Sequence, residues 1–261
     1  MIKLSVVVIT FNEAENIGRC LDSVQKVADD ILVVDSFSTD ATVEIAREKG
    51  ARVLQNPWED YHKQRGFAVQ HAQYDHVLAL DADEFLSEAL TEAIENVKAD
   101  WRHEGYLIHR LNKIGDTWVR YTSWFPDRTL RLFDRRKVTF ETLRGHDLVA
   151  VAPGGTTGYI RAALMHHSNY NLHDRSHRLN QQSTEAARYY FERGKKGAWL
   201  RILLKPLGRF FVEFVLRRGF LGGFYGFAIS VTAAHYVFLR EIKLKEMHRL
   251  GKSYSKDNWQ H

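Results

Sequence analysis

Only one cysteine, Cys20, occurs in 261 residues. No internal disulfide can form, and a disulfide-stapled scaffold is excluded. Cys20 shares helical spacing with Ile17, Leu21 and Val24, the pattern of a buried small apolar side chain rather than a reactive thiol. A signal peptide is also missing: "MIKLSVVVIT" passes too soon into polar residues, so the chain is expected to stay in the cell. There is no internal repeat and no low-complexity tract. No Gly-x-Gly-x-x-Gly follows the first apolar run, which disfavours a dinucleotide-binding fold.

The apolar content of 44% is ample for a buried core. Net charge is +5, concentrated between Arg188 and Arg249, where Lys and Arg are dense. Such a surface suits nucleic acid, anionic lipid or a phosphorylated ligand. Through the first hundred residues strand and helix periods alternate. "KLSVVVIT", "DILVVDS", "ARVLQN" and "HVLAL" read as strands. Between and after them, Ala14 to Val27, "DATVEIAREKG", Tyr61 to Ala72 and Ser87 to Val97 read as helices, the second with Asp40 as N-cap and Gly50 as its stop. This order implies an α/β fold, a mainly parallel sheet with helices on both faces. From Gly105 the pattern shifts to short strand-like runs, "GYLIHRL" and "TLRLF", that extend the sheet. After Asn171 the chain reads helical to about Leu250.

Within that helical part, Gly219 to Leu239 contains no Asp, Glu, Lys or Arg. Its length is that of a bilayer span. The preceding "LRILLKPLGRFFVEFVLRR" is amphipathic and basic, so association with a membrane surface is the leading reading, ahead of packing or dimerisation in a soluble protein and of a true span.

In open α/β sheets, ligands gather at the carboxyl ends of the strands. Thr10 to Glu13, Asp35 to Ser38 and Asp81 to Glu84 all fall there, and they converge on one edge as a pocket. "HVLALDADEFL" sets three acids, Asp81, Asp83 and Glu84, at a buried strand's end, where isolated carboxylates need a cation, a ligand or solvent. Asp81 and Asp83 can together hold a divalent cation, or be two solvated loop acids. Asp35 can accept from a base or ribose, or cap a helix. Lys63 and Arg65 of "HKQR" can offset diphosphate charge, or decorate a solvated helix face.

These stretches carry a resemblance. "SVVVITFNEAENIGRCLDSV", "ILVVDSFSTDAT", "HKQRGFA" and "LALDADE" are similar, in order and spacing, to the family 2 inverting glycosyltransferases, over roughly the first hundred residues. Further on, "WFPDRTLRLFDRR", "RGHDL" and "RRGFLGGFYGF" resemble the bacterial lipopolysaccharide core glucosyltransferases of the WaaE/KdtX type. The resemblance implies a GT-A fold, a Rossmann-like mixed sheet flanked by helices, with a C-terminal helical, membrane-associated extension. It implies a catalytic domain over 1–170, with a nucleotide-sugar half (1–100) and an acceptor half (101–170), followed by an extension over 171–261.

Roles follow from the resemblance residue by residue. Thr10, Asn12 and Glu13 would line the nucleotide pocket, Asp35 would bind uracil, and Gln64 and Arg65 would touch base or phosphate. Asp81 would hold ribose or a metal-bound water, and Asp83 would ligate Mn²⁺ or Mg²⁺ with His166 of "LMHHSNY". The general base would lie downstream: Asp147 of "GHD", where related enzymes often carry Glu, or Glu141. Trp124, Arg128 and Arg131 would meet the acceptor, unless the tryptophan is core. Arg131 alternates with Leu130 and Leu132 and is expected to face pocket or solvent.

The expected activity is metal-dependent transfer of a hexose, glucose first, from a UDP-sugar to a membrane-associated glycolipid such as lipopolysaccharide inner core, at the cytoplasmic face of the membrane. The partners are then a UDP-sugar, a glycolipid and a membrane surface, not nucleic acid; a homodimer is compatible with this. A same-fold alternative delivers sugar to polyprenyl phosphate or a protein side chain. A nucleotidyltransferase would need a Gly-rich basic loop where "TFNEAEN" stands, and a nucleic-acid-binding protein leaves Asp81 and Asp83 without a role.

Overall fold

The β-branched runs of the first third form strands that are buried on both faces, so they are continuously apolar instead of alternating. The computed structural model describes residues 1–143, 146–169 and 171–254, and the side chains of all of these except 140–143, 146–148 and 168–169. In chain order it contains β1 (Leu4–Thr10), α1 (Ile17–Val24), β2 (Asp30–Asp35), α2 (Thr42–Glu48), β3 (Arg52–Gln55), α3 (Tyr61–Gln70), β4 (His76–Asp81), β5 (Glu84–Leu86) and α4 (Glu88–Ala99). Then come β6 (Gly105–Ile114), β7 (Thr117–Trp118), β8 (Asp127–Asp134), β9 (Val138–Leu143), β10 (His146–Val151), β11 (Thr157–Asn169), α5 (Leu172–Glu192), α6 (Trp199–Phe211) and α7 (Gly223–Leu250). These elements form two units, Met1–Asn112 with Pro126–Ser168, and Lys113–Phe125 with Asn169–His261.

The first unit is built on a sheet of order β3-β2-β1-β4-β8-β6-β11-β5. β1 pairs in parallel with β2 and β4, and β2 with β3. β8 then runs antiparallel to β4 and β6, and β11 antiparallel to β5, so the sheet is mixed. Side chains alternate across it, as the strand period demands. Leu4, Val6 and Val8 of β1 pack with Ile17 and Leu21 of α1 and Leu90 and Ile94 of α4, while Val7 and Ile9 pack with Ala68 and Val69 of α3.

Helix starts follow local chemistry. Asp60 accepts from the Lys63 amide at 2.7 Å to open α3, and Ser87 accepts from the Leu90 amide at 3.3 Å to open α4. α2 departs by one residue from expectation: Ala41 occupies the N-cap, and Asp40 just outside accepts from the Thr42 amide at 3.0 Å and the Ala14 amide at 3.1 Å. Asp40 thus ties the loop after β1 to the start of α2.

The second unit gathers α5, α6 and α7 with the 113–125 segment. Ile114 and Val119 pack on Ile229 of α7, with Trp124, Leu172 and Tyr225 around them. α7 buries a single stripe, Gly226, Ile229, Ser230, Ala233, Val237, Glu241, Leu244 and Met247, at helical spacing. Gly219–Leu250 is long and apolar enough to cross a membrane, and 28% of its most apolar window is buried.

Candidate active site

β1, β2 and β4 are parallel neighbours, so Thr10, Asp35 and Asp81 end at one edge of the sheet. The three acids after β4 divide there into two kinds. Asp81 receives Arg65 at 2.5 Å and Arg131 at 2.8 Å. Glu84, fully buried, receives Arg131 at 2.5 Å and Arg110 at 3.4 Å, and its second oxygen accepts from the Asp81 amide at 3.0 Å. Arg110 is shared with Asp127 at 2.6 Å. Burial pushes the Asp81 carboxyl up, but Arg131 and then Arg65 reverse this and hold it well below the usual carboxylate range. Burial likewise works against the charged Arg131, and Asp81 and Glu84 overcome it and raise its pKa. Nη1 and Nε of Arg131, Nε of Arg65 and the Thr10 hydroxyl are buried with no hydrogen-bond partner among the described residues. Open donors beside a caged carboxylate suit a ligand rich in oxygen.

Asp83 stands outside the arginine cage. Its Oδ2 lies 3.2 Å from Nε2 of His166, which comes from β11. On the other side of that ring, Nδ1 is 2.7 Å from Oδ1 of Asn112. An amide oxygen can only accept, so Nδ1 carries a proton, and Nε2 faces the Asp83 carboxylate. In the neutral ring this sets two lone pairs face to face, which a cation can bridge. Next to this pair, Arg19 of α1 contacts Nδ1 of His167 at 2.9 Å and lies over the Phe85 ring at 4.7 Å.

The residues expected to line a nucleotide pocket form two interlocked loops. The Asn12 amide donates to Ser38 Oγ at 2.8 Å, the Thr39 amide to Asn12 Oδ1 at 2.8 Å, and the Glu13 amide to Thr42 Oγ1 at 2.8 Å. Asn12 and Phe37 adopt left-handed φ values of 53° and 63°, a backbone cost for a ring-bearing residue such as Phe37. Phe11 and Phe37 are 54% and 51% exposed. Asp35 is fully buried, and its carboxylate braces the turn by accepting from the Ser38 amide at 3.0 Å, the Ser38 hydroxyl and Gln55 Nε2 at 3.3 Å. A base contact at Asp35 would have to share those bonds. Gln64, also fully buried, donates to Ser36 Oγ at 2.9 Å and accepts from Asn56 Nδ2 at 2.7 Å.

Arg131, expected to face pocket or solvent, faces the acid cluster: it is 3% exposed, in the buried half of β8, and its charge is shared between Asp81 and Glu84 while Nη1 and Nε stay open. Arg128 lies 4.6 Å above the Tyr159 ring. Trp124 belongs to the second unit, where Arg175 stacks 4.3 Å from it. The candidate bases Glu141 and Asp147 sit on the paired strands β9 and β10, with Asp147 opposite Thr142 and Glu141 opposite Leu148. Their side chains lie outside the described residues.

Sequence reasoning left Glu84, Arg110, Asp127, Asn112 and Arg19 without roles. A signal existed for Arg110: a charge inside an apolar strand run implies a buried partner. None existed for Asn112, whose function depends on a strand neighbour 54 residues away.

Residues 5–167 match the model of the family described as Glycosyl transferase family 2. An uncharacterised glycosyltransferase of Rickettsia bellii is 34% identical over 256 residues, spanning 94% of this chain and 87% of its own. LpsC of Rhizobium meliloti, a lipopolysaccharide core biosynthesis glycosyltransferase, is 28% identical over 256 residues, spanning 95% of this chain and 93% of its own. Among solved structures, a mannosyltransferase of Pyrobaculum calidifontis in complex with GDP-Man and Mn²⁺ is similar at a TM-score of 0.53 and 14% identity, over 93% of this chain and 87% of that one. That likeness is one of fold.

Proposed function

Because the chain belongs to glycosyltransferase family 2, we propose that it transfers a hexose, with inversion, from a UDP-sugar to a glycolipid such as lipopolysaccharide inner core. The observation that carries this reading is the division of the acids after β4. Asp81 and Glu84 are neutralised by arginines, whereas Asp83 meets the imidazole of His166 across 3.2 Å.

That pair fits a divalent metal. A carboxylate oxygen facing an imidazole nitrogen suits Mn²⁺ or Mg²⁺, the nitrogen favouring Mn²⁺. Among the described residues no group of three potential ligands gathers, so Asp83 and His166 would hold the ion with the donor's diphosphate and water. When bound, the ion supplies charge stabilisation for the departing diphosphate.

The chain's own groups do the rest. Asp81, kept ionised by Arg131 and Arg65, accepts hydrogen bonds at neutral pH and suits a ribose hydroxyl. Arg65 presents a buried open donor to phosphate. The exposed rings of Phe11 and Phe37 offer flat apolar faces to the base. Inversion requires a base opposite the leaving group that takes the acceptor hydroxyl's proton as its oxygen attacks; we assign this to Asp147, with Glu141 as second candidate. Arg128 is assigned to acceptor phosphate and Trp124 to an acceptor ring. The acceptor class is supported by the name of the LpsC relative, which spans nearly the whole chain. Such an acceptor sits in a membrane, and the exposed apolar residues of α6 and α7 suit a peripheral enzyme at its cytoplasmic face.

Calorimetric titration of UDP, GDP and CDP, with Mn²⁺ and then with EDTA, tests the donor site. Selective UDP binding that needs Mn²⁺ and is lost in Asp83→Ala is expected. GDP is the informative competitor, since the similar mannosyltransferase was solved with GDP-Man. Preference for GDP would overturn the UDP assignment, and binding unaffected by EDTA would overturn the metal role of Asp83 and His166.

A further inference from the structure

The second unit holds a concave pocket of about 470 Å³ whose lining includes none of the residues assigned to sugar transfer. That volume is within the range of small-ligand sites, about 300–1,000 Å³. Its walls carry Lys195, Lys196, Arg201 and Lys205 against one acid, Glu241. Glu241 is already engaged: a single oxygen accepts from Lys205 at 2.7 Å and from Arg240 at 2.9 Å. The ammonium of Lys195 lies 4.6 Å from the centre of the Tyr190 ring, and Arg201 donates to the Lys196 carbonyl at 3.5 Å. Lys195, Lys196 and Arg201 therefore have no carboxylate partner among the described residues. Three cations around one concavity repel one another, and an anion carrying several oxygens relieves this.

The same helix that supplies Arg201 and Lys205 displays an apolar stripe. Leu200, Leu203, Leu204 and Leu207 are 67%, 63%, 55% and 68% exposed, at the i, i+3, i+4, i+7 spacing of one helix face. A site for free phosphate needs no such stripe. An anionic lipid needs both features, cations for the headgroup and leucines for the acyl boundary.

We infer that this pocket is a binding site for the phosphate headgroup of an anionic phospholipid, with the leucines of α6 entering the adjoining acyl layer. The inference rests on the membrane part of the reading above and adds a selecting site to it. It makes attachment depend on lipid charge as well as on apolar insertion.

Flotation of the full chain with phosphatidylglycerol-containing and with pure phosphatidylcholine vesicles tests it, using Lys196→Gln/Arg201→Gln and Leu203→Ser/Leu207→Ser. All four positions are solvent-exposed, so the variants should fold; UDP binding with Mn²⁺ serves as the control. Removing a cation near an anionic surface weakens binding about fivefold, so the charge variant should lose roughly 25-fold on the anionic vesicles. The leucine variant should lose binding to both vesicle types. If the charge variant floats like the wild type, the headgroup site is overturned while membrane attachment stands. If it loses calorimetric binding of inorganic phosphate but floats unchanged, the pocket serves a soluble phosphate and the lipid assignment falls. Wild-type protein that floats with neither vesicle overturns the membrane reading itself.

Discussion

Arg131 shows how a single residue's role depends on partners far along the chain. Its guanidinium joins Asp81 at 2.8 Å to Glu84 at 2.5 Å, and Glu84 is fully buried. Removing one partner of a buried ion pair costs more than the pair contributes, because the other charge stays behind without solvent. Arg131→Ala should therefore destabilise by about 3–5 kcal/mol, read as a lower urea midpoint, and should weaken nucleotide binding through a displaced Asp81. Asp29 gives a cleaner pH signature. It accepts from Lys98, which is nearly buried, at 2.7 Å, and from Lys3 at 2.7 Å. Burial raises its pKa, but the bonds from Lys3 and Lys98 outweigh this and bring it down to about 2 from 3.8. A depressed folded-state pKa contributes stability that is complete above the unfolded value and disappears as pH falls through the folded one. Asp29→Asn should thus cost about 2 kcal/mol at pH 7, and the difference from wild type should shrink between about pH 4 and pH 2 in thermal melts. The lone Cys20, buried as its spacing implied, has its thiol pushed well up by burial and then by Glu84, Asp83 and Asp81. It should stay unlabelled by alkylating reagents in the native protein.

At the level of elements, the alternating periods of the first hundred residues were legible because each strand and helix carries its own signal: β-branched runs for β1 and β2, an apolar run for β4, apolar residues at helical spacing for α1, and Ser87 ahead of α4. The strand ends were legible for the same reason, since position in an α/β repeat places them. What the pattern did not reveal was pairing in the second part of the sheet. Whether β8 lies beside β4 and β6, and β11 beside β5, depends on contacts between residues far apart in sequence. That pairing delivers Arg131 and His166 to the acids. The β9–β10 pair carries the proposed base. Asp147→Asn should lower kcat by about 10²–10⁴-fold and leave UDP affinity unchanged, and a comparable loss in Glu141→Gln with none in Asp147→Asn would move the role to Glu141. α7 makes a different prediction. A Cβ at Gly226 would meet the backbone oxygen of Gly219 at 1.9 Å, a contact that no rotamer change relieves. Gly226→Ala should cost at least 1–3 kcal/mol, roughly the penalty of overpacking, visible as a lower melting temperature.

For the molecule as a whole, the observed units part near residue 169, close to the expected division at 170, and one further segment changes unit. Residues 113–125 join the helical unit, with Ile114 fully buried and Val119 packed on Ile229. A chain truncated after residue 170 would bare this apolar surface, and it should be insoluble or melt well below the full-length protein. A truncated protein that is soluble and melts like the parent would show that the segment needs no partner. The α/β alternation, the polar strand ends, the family and the basic helical tail follow from near neighbours along the chain, because periodicity, capping and motif spacing are local properties. Which charges meet is a matter of three-dimensional packing. That packing caged Asp81 and Glu84 with arginines from α3, β6 and β8, turned His166 toward Asp83, and gathered Lys195, Lys196 and Arg201 around a pocket with no carboxylate partner of their own among the described residues. The physical reason is that a buried charge must find its counterpart in space, and distance in space is set by strand pairing and helix packing, which sequence separation does not record.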